Sequence, residues 1–329
     1  MATADQAGRS GEGSAPLRVI HTAQALVDVV VEVPALPRRG GNVMAASSER
    51  HAGGAVTTLL AAARSGVGAV HAGAHGTGPN GDLVRDALAG EGIACSAPAV
   101  ADLDTGICIV LVEPSAERTF VTTLGAERRI TPESLAASAP VAGDVVCISG
   151  YSLLGETREP LLTWLESLPD GVVVVLDPGA PFVELEKPVR DRVVAVTDVW
   201  TGNGEESEDF GGTKGMGPAA EAVADRLRPG AVAVVRDGDQ GCAVRVDGRT
   251  TIVPGFPETP VDTNGAGDTH TGVLVAERAK GADWPEACRR ANAAGAIKVT
   301  RRGPTTAPTA AEIDDYLSAR GEPGAPGSA

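Results

Sequence analysis

Short apolar runs alternate with helical patterns through the middle of the chain. Runs that are apolar throughout are typical of parallel strands covered on both faces, and helices of about ten residues between them fit the crossover connections. The pattern therefore predicts an α/β fold with a doubly wound, mostly parallel central sheet. In chain order the prediction gives strand 141–148, helix 159–167, strand 171–176, helix 183–190, strand 193–196, helix 219–227 and strand 232–235.

Two stretches that break this rhythm predict a small β unit. Residues 105–123 alternate β-favouring residues around a Pro-Ser-Ala-Glu turn, as the two strands of a hairpin do. Residues 27–33 are a second strand-like run, which a turn rich in Pro, Arg and Gly separates from 43–50. We expect these stretches, at about 27–50 and 105–123, to form a β lid that closes over a site. An ordinary extension of the main sheet is the alternative.

Both ends of the chain lack periodic apolar residues and are rich in Gly, Ser, Ala and Pro. Residues 1–16 and 319–329 are therefore expected to be disordered tails that flank one domain over 17–318. No apolar run reaches the roughly 18 residues that span a bilayer, and the N-terminus has no signal-peptide pattern. The 5 cysteines are odd in number and scattered, as reduced thiols are, so we expect a cytoplasmic protein.

The chain carries 28 Lys and Arg residues against 43 Asp and Glu residues, a formal net charge of -15. A charge of this sign and size repels polyanions. Aromatic residues make up 3% of the chain, too few for base-stacking platforms. Composition therefore argues against a nucleic-acid partner, and the lack of an apolar span argues against a membrane partner.

Asp262-Thr-Asn-Gly-Ala-Gly-Asp268 is the segment with the clearest chemical meaning. It follows the run 252–261 and precedes a helical pattern at 270–280, which predicts a strand, a glycine turn and a helix N-terminus. The first N–H groups of a helix are unpaired, so Gly265, Ala266 and Gly267 can present donors to an anion. Asp268 can then act as general base on an incoming hydroxyl group. Helix capping is the alternative role for this carboxylate.

The segment resembles the C-terminal signature of the ribokinase (PfkB-type) family of carbohydrate and nucleoside kinases, D-T-x-G-A-G-D. Other segments resemble the family in the same chain order. Asp28 is expected to end the first strand, His51-Ala-Gly53-Gly54 resembles the N-terminal glycine signature, and Asn203-Gly-Glu-Glu206 fits N-x-x-E. The resemblance covers 17–317. It implies a ribokinase-like three-layer α/β/α domain with a small β lid, which transfers the γ-phosphoryl group of ATP to a hydroxymethyl group.

The resemblance also implies a role for each matched residue. Asp268 is the base, and the N–H groups of the glycine turn stabilise charge on the phosphoryl group. Asn203 and Glu206 organise Mg²⁺ and its waters, with a polar loop as the alternative. The residues implied at the sugar side are Asp28, Gly53, Gly54, Thr57 and Gln24; those at the nucleotide are Arg236, Gly238 and Asn292; those at a monovalent cation such as K⁺ are Asp262 and Thr263 with the loop 300–305.

Three positions depart from the family pattern. Thr57 stands where Asn is common, Ala23-Gln24 where a Gly–Asn pair is common, and His270 where Phe is common. Thr offers one short hydroxyl in place of an amide, so the hydrogen-bonding pattern of the sugar pocket differs. The identity of the sugar or nucleoside is therefore open, and we expect a structural role for His270.

Several alternatives stand beside this interpretation. A nucleoside kinase of the same fold, or a kinase-fold sensor that binds a sugar or nucleotide without turnover, would share the motifs, although the sensor could have lost Asp268. Gly76-Thr-Gly-Pro-Asn-Gly81 spells a dinucleotide-binding G-x-G-x-x-G, but Pro79 has no N–H to offer a phosphate. His71 and His75 are spaced as zinc ligands are, without a suitable helix or a third ligand. Lid strands could also pair two subunits into a homodimer.

Overall fold

The central sheet is covered by helices on both faces. The structure is a computed structural model that describes residues 17–115 and 117–321, so the predicted tail 1–16 and most of the tail 319–329 lie outside the described residues. The strands are β1 (Arg18–His21), β2 (Ala25–Glu32), β3 (Ser47–Gly54), β4 (Gly68–His71), β5 (Ala94–Cys95), β6 (Ile107–Val112), β7 (Arg118–Thr122), β8 (Val145–Ser149), β9 (Val173–Asp177), β10 (Val199–Asn203), β11 (Val232–Arg236), β12 (Gly241–Val246) and β13 (Arg249–Pro254).

The helices are of ordinary globular length. They are α1 (Ala55–Arg64), α2 (Pro79–Gly90), α3 (Pro132–Ala136), α4 (Arg158–Leu165), α5 (Lys187–Val196), α6 (Gly204–Gly211), α7 (Met216–Ala224), α8 (Ala266–Ala279), α9 (Trp284–Val299) and α10 (Ala310–Ser318). Within the described ranges, none is long and apolar enough to cross a membrane.

Nine strands, among the described residues, form the central sheet in the order β13-β12-β11-β10-β9-β8-β1-β4-β5. Neighbouring strands from β11 to β5 run parallel, and β12 and β13 add an antiparallel edge. The parallel strands are apolar along their length because helices cover both of their faces. The predicted α/β class with a mostly parallel sheet is confirmed.

Two apolar cores lie on opposite faces of this sheet. Successive residues of a strand point to opposite faces, and in β11 Ala233 joins one core while Val232 and Val234 join the other. Trp200 is fully buried in the first core, and Ile297 of α9 packs in the second. The alternation within a single strand establishes the three-layer arrangement.

A second, four-stranded sheet, again counted within the described residues, has the order β3-β2-β6-β7. β2 pairs antiparallel with β3 and parallel with β6, and β6 pairs antiparallel with β7. The hairpin predicted within 105–123 is confirmed by β6 and β7. The segments predicted for a lid contain most of this small sheet, and its action as a lid stays a prediction.

The strand predicted at 193–196 is wrong. These residues form the last turn of α5, and the strand follows as β10. Val189 and Val193 lie one helical turn apart and both are buried, so the apolar run belongs to a helix face. The helix predicted at 183–190 begins only at Lys187, because residues 180–184 form a 3₁₀ turn.

Two predicted settings of site residues also need correction. Asp28 does not end the first strand: it lies inside β2, where it pairs with His51 of β3 and Cys108 of β6. No strand directly precedes Asp262, because β13 ends at Pro254 and an irregular segment follows. The site is therefore built from both sheets rather than from the ends of the main sheet alone.

Candidate active site

A cavity of about 880 Å³ opens at the carboxyl ends of the parallel strands. Four adjacent strands, β8 to β11, end there and bring Ser149, Asp177, Asn203 and Arg236 to one edge. The register pairs the first two of these residues with each other, and likewise the last two. Asp28 faces the same cavity from the small sheet. This edge is where open α/β sheets bind ligands.

The glycine turn before α8 presents backbone donors to this cavity. Gly265 has a left-handed φ of 77°, and a Cβ there would lie 3.0 Å from the carbonyl oxygen of Pro304. The N–H of Ala266 donates a long bond of 3.3 Å to the carbonyl oxygen of Thr263. No acceptor within the described residues takes the N–H of Gly265 or of Gly267. Donors without a partner at a helix N-terminus suit an anion.

Asp268 lies in the first turn of α8 and lines the cavity. Burial raises the pKa of its carboxyl to about 7; the nearby carboxylate of Asp177 adds to this rise, and Arg236 opposes it. Thr58 Oγ1 donates a long hydrogen bond of 3.5 Å to Asp268 Oδ1. A carboxyl group with a pKa close to neutral pH is well suited to accept a proton from a hydroxyl group.

Asp28 approaches the same turn from the small sheet. It is 8% exposed, and its Oδ2 accepts a hydrogen bond of 3.3 Å from Asn264 Nδ2. A Cβ at Gly53 would lie 2.5 Å from Asp28 Oδ2, so only glycine leaves room for this carboxylate. Burial raises the pKa of Asp28 to about 6, against the hydrogen bond from Asn264, which lowers it. The cavity thus has a second carboxylate, linked through Asn264 to the glycine turn.

The other residues predicted at the sugar side lie in different environments. Gln24 and Gly54 line the cavity. Thr57 does not: its methyl group lies 3.0 Å from where a Cβ of Gly265 would be, and its Oγ1 is buried with no partner in the described part of the chain. Thr58 lines the cavity in its place. Thr57 therefore packs behind the glycine turn.

Asn203 and Glu206 form the capping box that begins α6. Asn203 Oδ1 accepts the N–H of Glu206 at 2.8 Å, and Glu206 Oε2 accepts the N–H of Asn203 at 2.8 Å. Burial, followed by the charge of Asp177, raises the pKa of Glu206. Both residues line the cavity, so one carboxylate oxygen of Glu206 remains for a ligand.

The cavity residues fit a Mg²⁺ ion that is held by one or two carboxylates together with substrate phosphates and waters. No group of three or more His, Cys, Asp or Glu residues in the described ranges could hold a metal ion by itself. Mg²⁺, however, is commonly held by one or two carboxylates together with waters and substrate phosphates. The carboxylates that line the cavity are Asp28, Asp177, Glu206, Asp239, Glu258 and Asp268. Of these, Asp177 ends β9 and Glu206 lies in the first turn of α6, directly after β10, and such an ion would be held by these two.

Arg236 brings a positive charge to the glycine turn. Its Nη1 donates to the carbonyl oxygen of Gly267 at 2.8 Å, and its Nη2 donates to Asp177 Oδ2 at 3.3 Å. Arg236 and Gly238, both predicted at the nucleotide, line the cavity. The guanidinium group is therefore fixed between a strand end and the start of α8.

Asn292, also predicted at the nucleotide, lines the cavity from α9. Its Nδ2 donates to the carbonyl oxygen of Pro254 at 3.0 Å, and its Oδ1 lies 3.1 Å from His270 Nε2. These contacts hold the edge strand β13 and α8 together beside the cavity. They are consistent with the structural role expected for His270.

Asp262, one of the two residues predicted for K⁺, already contacts a cation of the chain. The carboxylate of Asp262 accepts the N–H groups of Asn264 at 2.8 Å and Gly303 at 2.9 Å. Lys298 Nζ donates to the carbonyl oxygen of Asp262 at 3.1 Å. Thr263 lines the cavity. These residues do not fit a K⁺ ion at this carbonyl oxygen, because the ammonium group would repel a second cation.

The other glycine turn, at 76–81, is closed by the chain itself. The carboxylate of Asp104 accepts the N–H groups of Asn80 at 3.1 Å, Gly81 at 2.9 Å and Thr105 at 2.8 Å. An internal carboxylate thus takes the donors at the start of α2, and dinucleotide binding there has no support. His71 and His75 belong to no metal-binding group in the described part of the chain.

Sequence reasoning missed Asp177, Asn264 and Lys298. Asp177 is the polar residue that ends the apolar run of β9, a signal that is visible in the sequence. Asn264 stands inside the glycine segment, but its contact with Asp28 depends on the small sheet. Lys298 is the charged residue in the apolar stretch Ala-Asn-Ala-Ala-Gly-Ala-Ile-Lys-Val, a pattern that indicates a buried ammonium group.

Comparisons with known proteins agree with this geometry. Residues 19–311 match the family described as pfkB family carbohydrate kinase. An uncharacterized sugar kinase, YegV, of Escherichia coli strain K12 is 30% identical over 298 residues, which cover 90% of this chain and 92% of that protein.

Solved structures share the fold. The ribokinase of Arabidopsis thaliana, complexed with ribose and ATP, has a TM-score of 0.76 at 22% identity over 92% of this chain and 99% of that chain. A fructokinase double mutant of Vibrio cholerae O395, with fructose, ADP and potassium ion bound, has a TM-score of 0.76 at 23% identity over 92% of this chain and 98% of that chain. Further neighbours are ribokinases and fructokinases. At these identities the likeness establishes the fold.

Proposed function

Because the chain belongs to the pfkB family of carbohydrate kinases, we propose that it transfers the γ-phosphoryl group of ATP to a hydroxyl group of a sugar or sugar-like small molecule. The family match gives the enzyme class, and it confirms the family resemblance found in the sequence motifs. ATP as donor, a hydroxymethyl group as acceptor and the roles of individual residues belong to the proposal.

The juxtaposition at the start of α8 supports this function most directly. Backbone donors without a partner among the described residues lie in the same turn as Asp268, whose carboxyl pKa is raised to about 7. Donors that receive phosphoryl oxygens and a base that receives the hydroxyl proton are the two requirements of such a transfer. Both requirements meet at one end of one helix.

In the proposed reaction, the acceptor hydroxyl gives its proton to the carboxylate of Asp268 as its oxygen attacks the γ-phosphorus. The bond between that phosphorus and the β,γ-bridging oxygen breaks, and ADP leaves with the electron pair. The charge on the transferred group is stabilised by the N–H groups of Gly265 and Gly267 and by the guanidinium group of Arg236. The N–H of Ala266, whose bond to Thr263 is long, adds to them. When bound, Mg²⁺ neutralises phosphate charge, which the acidic lining of the cavity cannot do.

Asp28 is proposed to hold the acceptor molecule. Its buried carboxylate accepts hydrogen bonds well, and a sugar offers several hydroxyl donors. Gly53 leaves space for that carboxylate, and Gln24 and Gly54 line the same wall. The small sheet that carries Asp28 is proposed to act as a lid that excludes water during the transfer. Pairing of lids between subunits and a cytoplasmic location stay predictions.

ADP release tests the proposal. The purified chain is mixed with ATP and Mg²⁺ against a panel of hexoses, pentoses, deoxy-sugar acids and nucleosides, with a metal chelator as control. We expect ADP release with at least one sugar, and its loss with the chelator. Release with nucleosides alone would favour the nucleoside-kinase alternative, and ligand binding without ADP release would favour the sensor.

A further inference from the structure

Lys298 is an unusual feature of the region behind the glycine turn. It lies in the last turn of α9, is 0% exposed and is one of the largest fully buried side chains among the described residues. Burying an ammonium group is unfavourable unless its charge and its N–H donors find partners. The partners of Lys298 therefore indicate what this charge does.

The partners belong to the two loops that meet behind the glycine turn. Lys298 Nζ donates to the carbonyl oxygen of Asp262 at 3.1 Å and to that of Arg301 at 3.4 Å. The first loop leads directly into Gly265, and the second contains Gly303, whose N–H donates to the Asp262 carboxylate. The ammonium group thus bridges two carbonyl oxygens near the half-buried carboxylate of Asp262.

Carbonyl oxygens from two loops beside one carboxylate are the ligands that a monovalent cation would use. An ammonium ion carries the same charge as K⁺ and is close to it in size, so a lysine can fill the same position while covalently attached. Backbone hydrogen bonds join the Asp262 loop to the end of α9, since the N–H groups of Val261 and Asp262 donate to the carbonyl oxygen of Val299 at 2.7 and 3.0 Å. A free ion and Lys298 could not both occupy these oxygens.

We propose that the ammonium group of Lys298 is a tethered cation that replaces a monovalent metal ion and holds the Asp262 loop in the shape that presents the N–H groups of α8. Lys298 is then a positioning residue, since it acts through the loop and lies behind the donors. Its charge also adds to the positive potential at that helix end. The inference rests on the proposed kinase function for its activity readout, but not for its stability readout.

The test compares the wild-type chain with Lys298→Met and with Lys187→Met as matched control. Lys187 pairs with Asp191 on the surface, and its side chain is 76% exposed. Turnover, ATP affinity and Tm are measured in choline chloride, and then with K⁺ or ammonium chloride substituted at constant ionic strength.

We expect wild type and K187M to be indifferent to K⁺ in both turnover and Tm. K298M should lose about tenfold to hundredfold in turnover in choline, the loss expected for one or two charged hydrogen bonds. K⁺ or ammonium should bind in place of the lost group, raise the Tm of K298M and restore part of its turnover. A merely structural lysine would give a destabilised variant with no specific response to these ions.

Three outcomes would overturn the inference. They are K⁺ stimulation of the wild type, a folded K298M with unchanged turnover, and a K298M whose Tm or refolding does not respond to K⁺ or ammonium. Absence of ADP release from the wild type on every acceptor would instead contradict the proposed function. The Tm comparison of K298M with and without K⁺ still decides the role of Lys298 in that case.

Discussion

Helices α2 and α8 both begin at a glycine whose φ is positive, and they differ in what takes their first N–H groups. At α2, Gly78 has a φ of 125°, and the carboxylate of Asp104 accepts the N–H groups of Asn80 and Gly81. At α8, Gly265 has a φ of 77°, and the first donors face the cavity. One helix end is satisfied within the chain, and the other is left for a ligand.

The comparison shows why glycine spacing is a weak guide to function in this chain. The 42 glycines in 329 residues make strings such as the one at 76–81 common by chance. What separates the two turns is the carboxylate. At α2 it comes from another segment and caps the helix, whereas at α8 Asp268 comes from the helix itself and lies beside donors that it does not use.

Asp268→Asn should have the largest effect. Asparagine keeps the shape of the side chain but cannot accept the hydroxyl proton, so turnover should fall by about 10²–10⁴, the usual contribution of a positioned base. ATP affinity, measured by calorimetry, should remain. The matched control is Asp82→Asn, because Asp82 is the acidic residue in the first turn of α2 and pairs with Arg85 on the surface.

Turnover of D268N close to that of the wild type would contradict the role of the base. An equal loss in D82N would show that the comparison between the two helix ends is mistaken, since an exposed carboxylate would then matter as much as the one that lines the cavity.

Asp28→Asn should have the next largest effect, and on a different quantity. Its carboxylate is the second acidic group near the α8 turn, to which it is linked by the hydrogen bond from Asn264. Within the described residues, the turn at α2 has no corresponding link to the cavity. Loss of one or two charged hydrogen bonds to the acceptor should raise KM by about tenfold to hundredfold. ATP affinity should stay within error of the wild type in calorimetry. A parallel loss of ATP affinity would mean that Asp28 acts on the nucleotide or on the fold.

The sequence predicts the parts of the site that are local in the chain. The turn at Asp262 to Asp268 can be predicted because its glycines, its acid and the following helix are neighbours in sequence. Strands such as β8, β9 and β11 can be predicted because continuous burial makes them apolar throughout. The same rule misassigns residues 193–196, because a helix that packs on a sheet can also end in an apolar run.

Contacts between distant segments could not be predicted in this way. The meeting of Asp177 with Arg236 depends on the order and register of β9, β10 and β11. The contact of Asp28 with Asn264 depends on how the small sheet lies over α8. A single sequence does not specify how strands pair or in which register, so it indicates which residues carry chemistry but not which of them come into contact.

Asp104→Ala tests the other side of the comparison and should affect stability alone. Three N–H groups would lose their acceptor, so the free energy of unfolding should fall by about 1–2 kcal/mol, the range for removing a helix cap. Chemical denaturation measures this, with Asp86→Ala, an exposed acid of α2, as control. ATP affinity should not change. A loss of ATP affinity in D104A would indicate that the turn at 76–81 takes part in nucleotide binding.

The smallest effect expected is a shift in pH dependence at α8. Since the ionised form of Asp268 is the base, kcat/KM should rise with pH through about 7, where burial has raised the pKa of its carboxyl. Arg236 opposes that rise and pairs with Asp177, so Arg236→Met should move the rising limb to higher pH by about one unit. A rising limb of kcat/KM that stays at the same pH in R236M would show that the limb does not report the ionisation of Asp268.

Stability gives an independent readout of the same carboxyl. Its pKa lies above the ordinary 3.8 in the folded chain, so the folded state binds the proton more tightly than the unfolded state. Wild-type stability should therefore fall as pH rises from about 4 to about 7, and D268N should lack this part of the fall. The stability difference between D268N and wild type should grow over that interval, and a difference that stays constant with pH would contradict the raised pKa of Asp268.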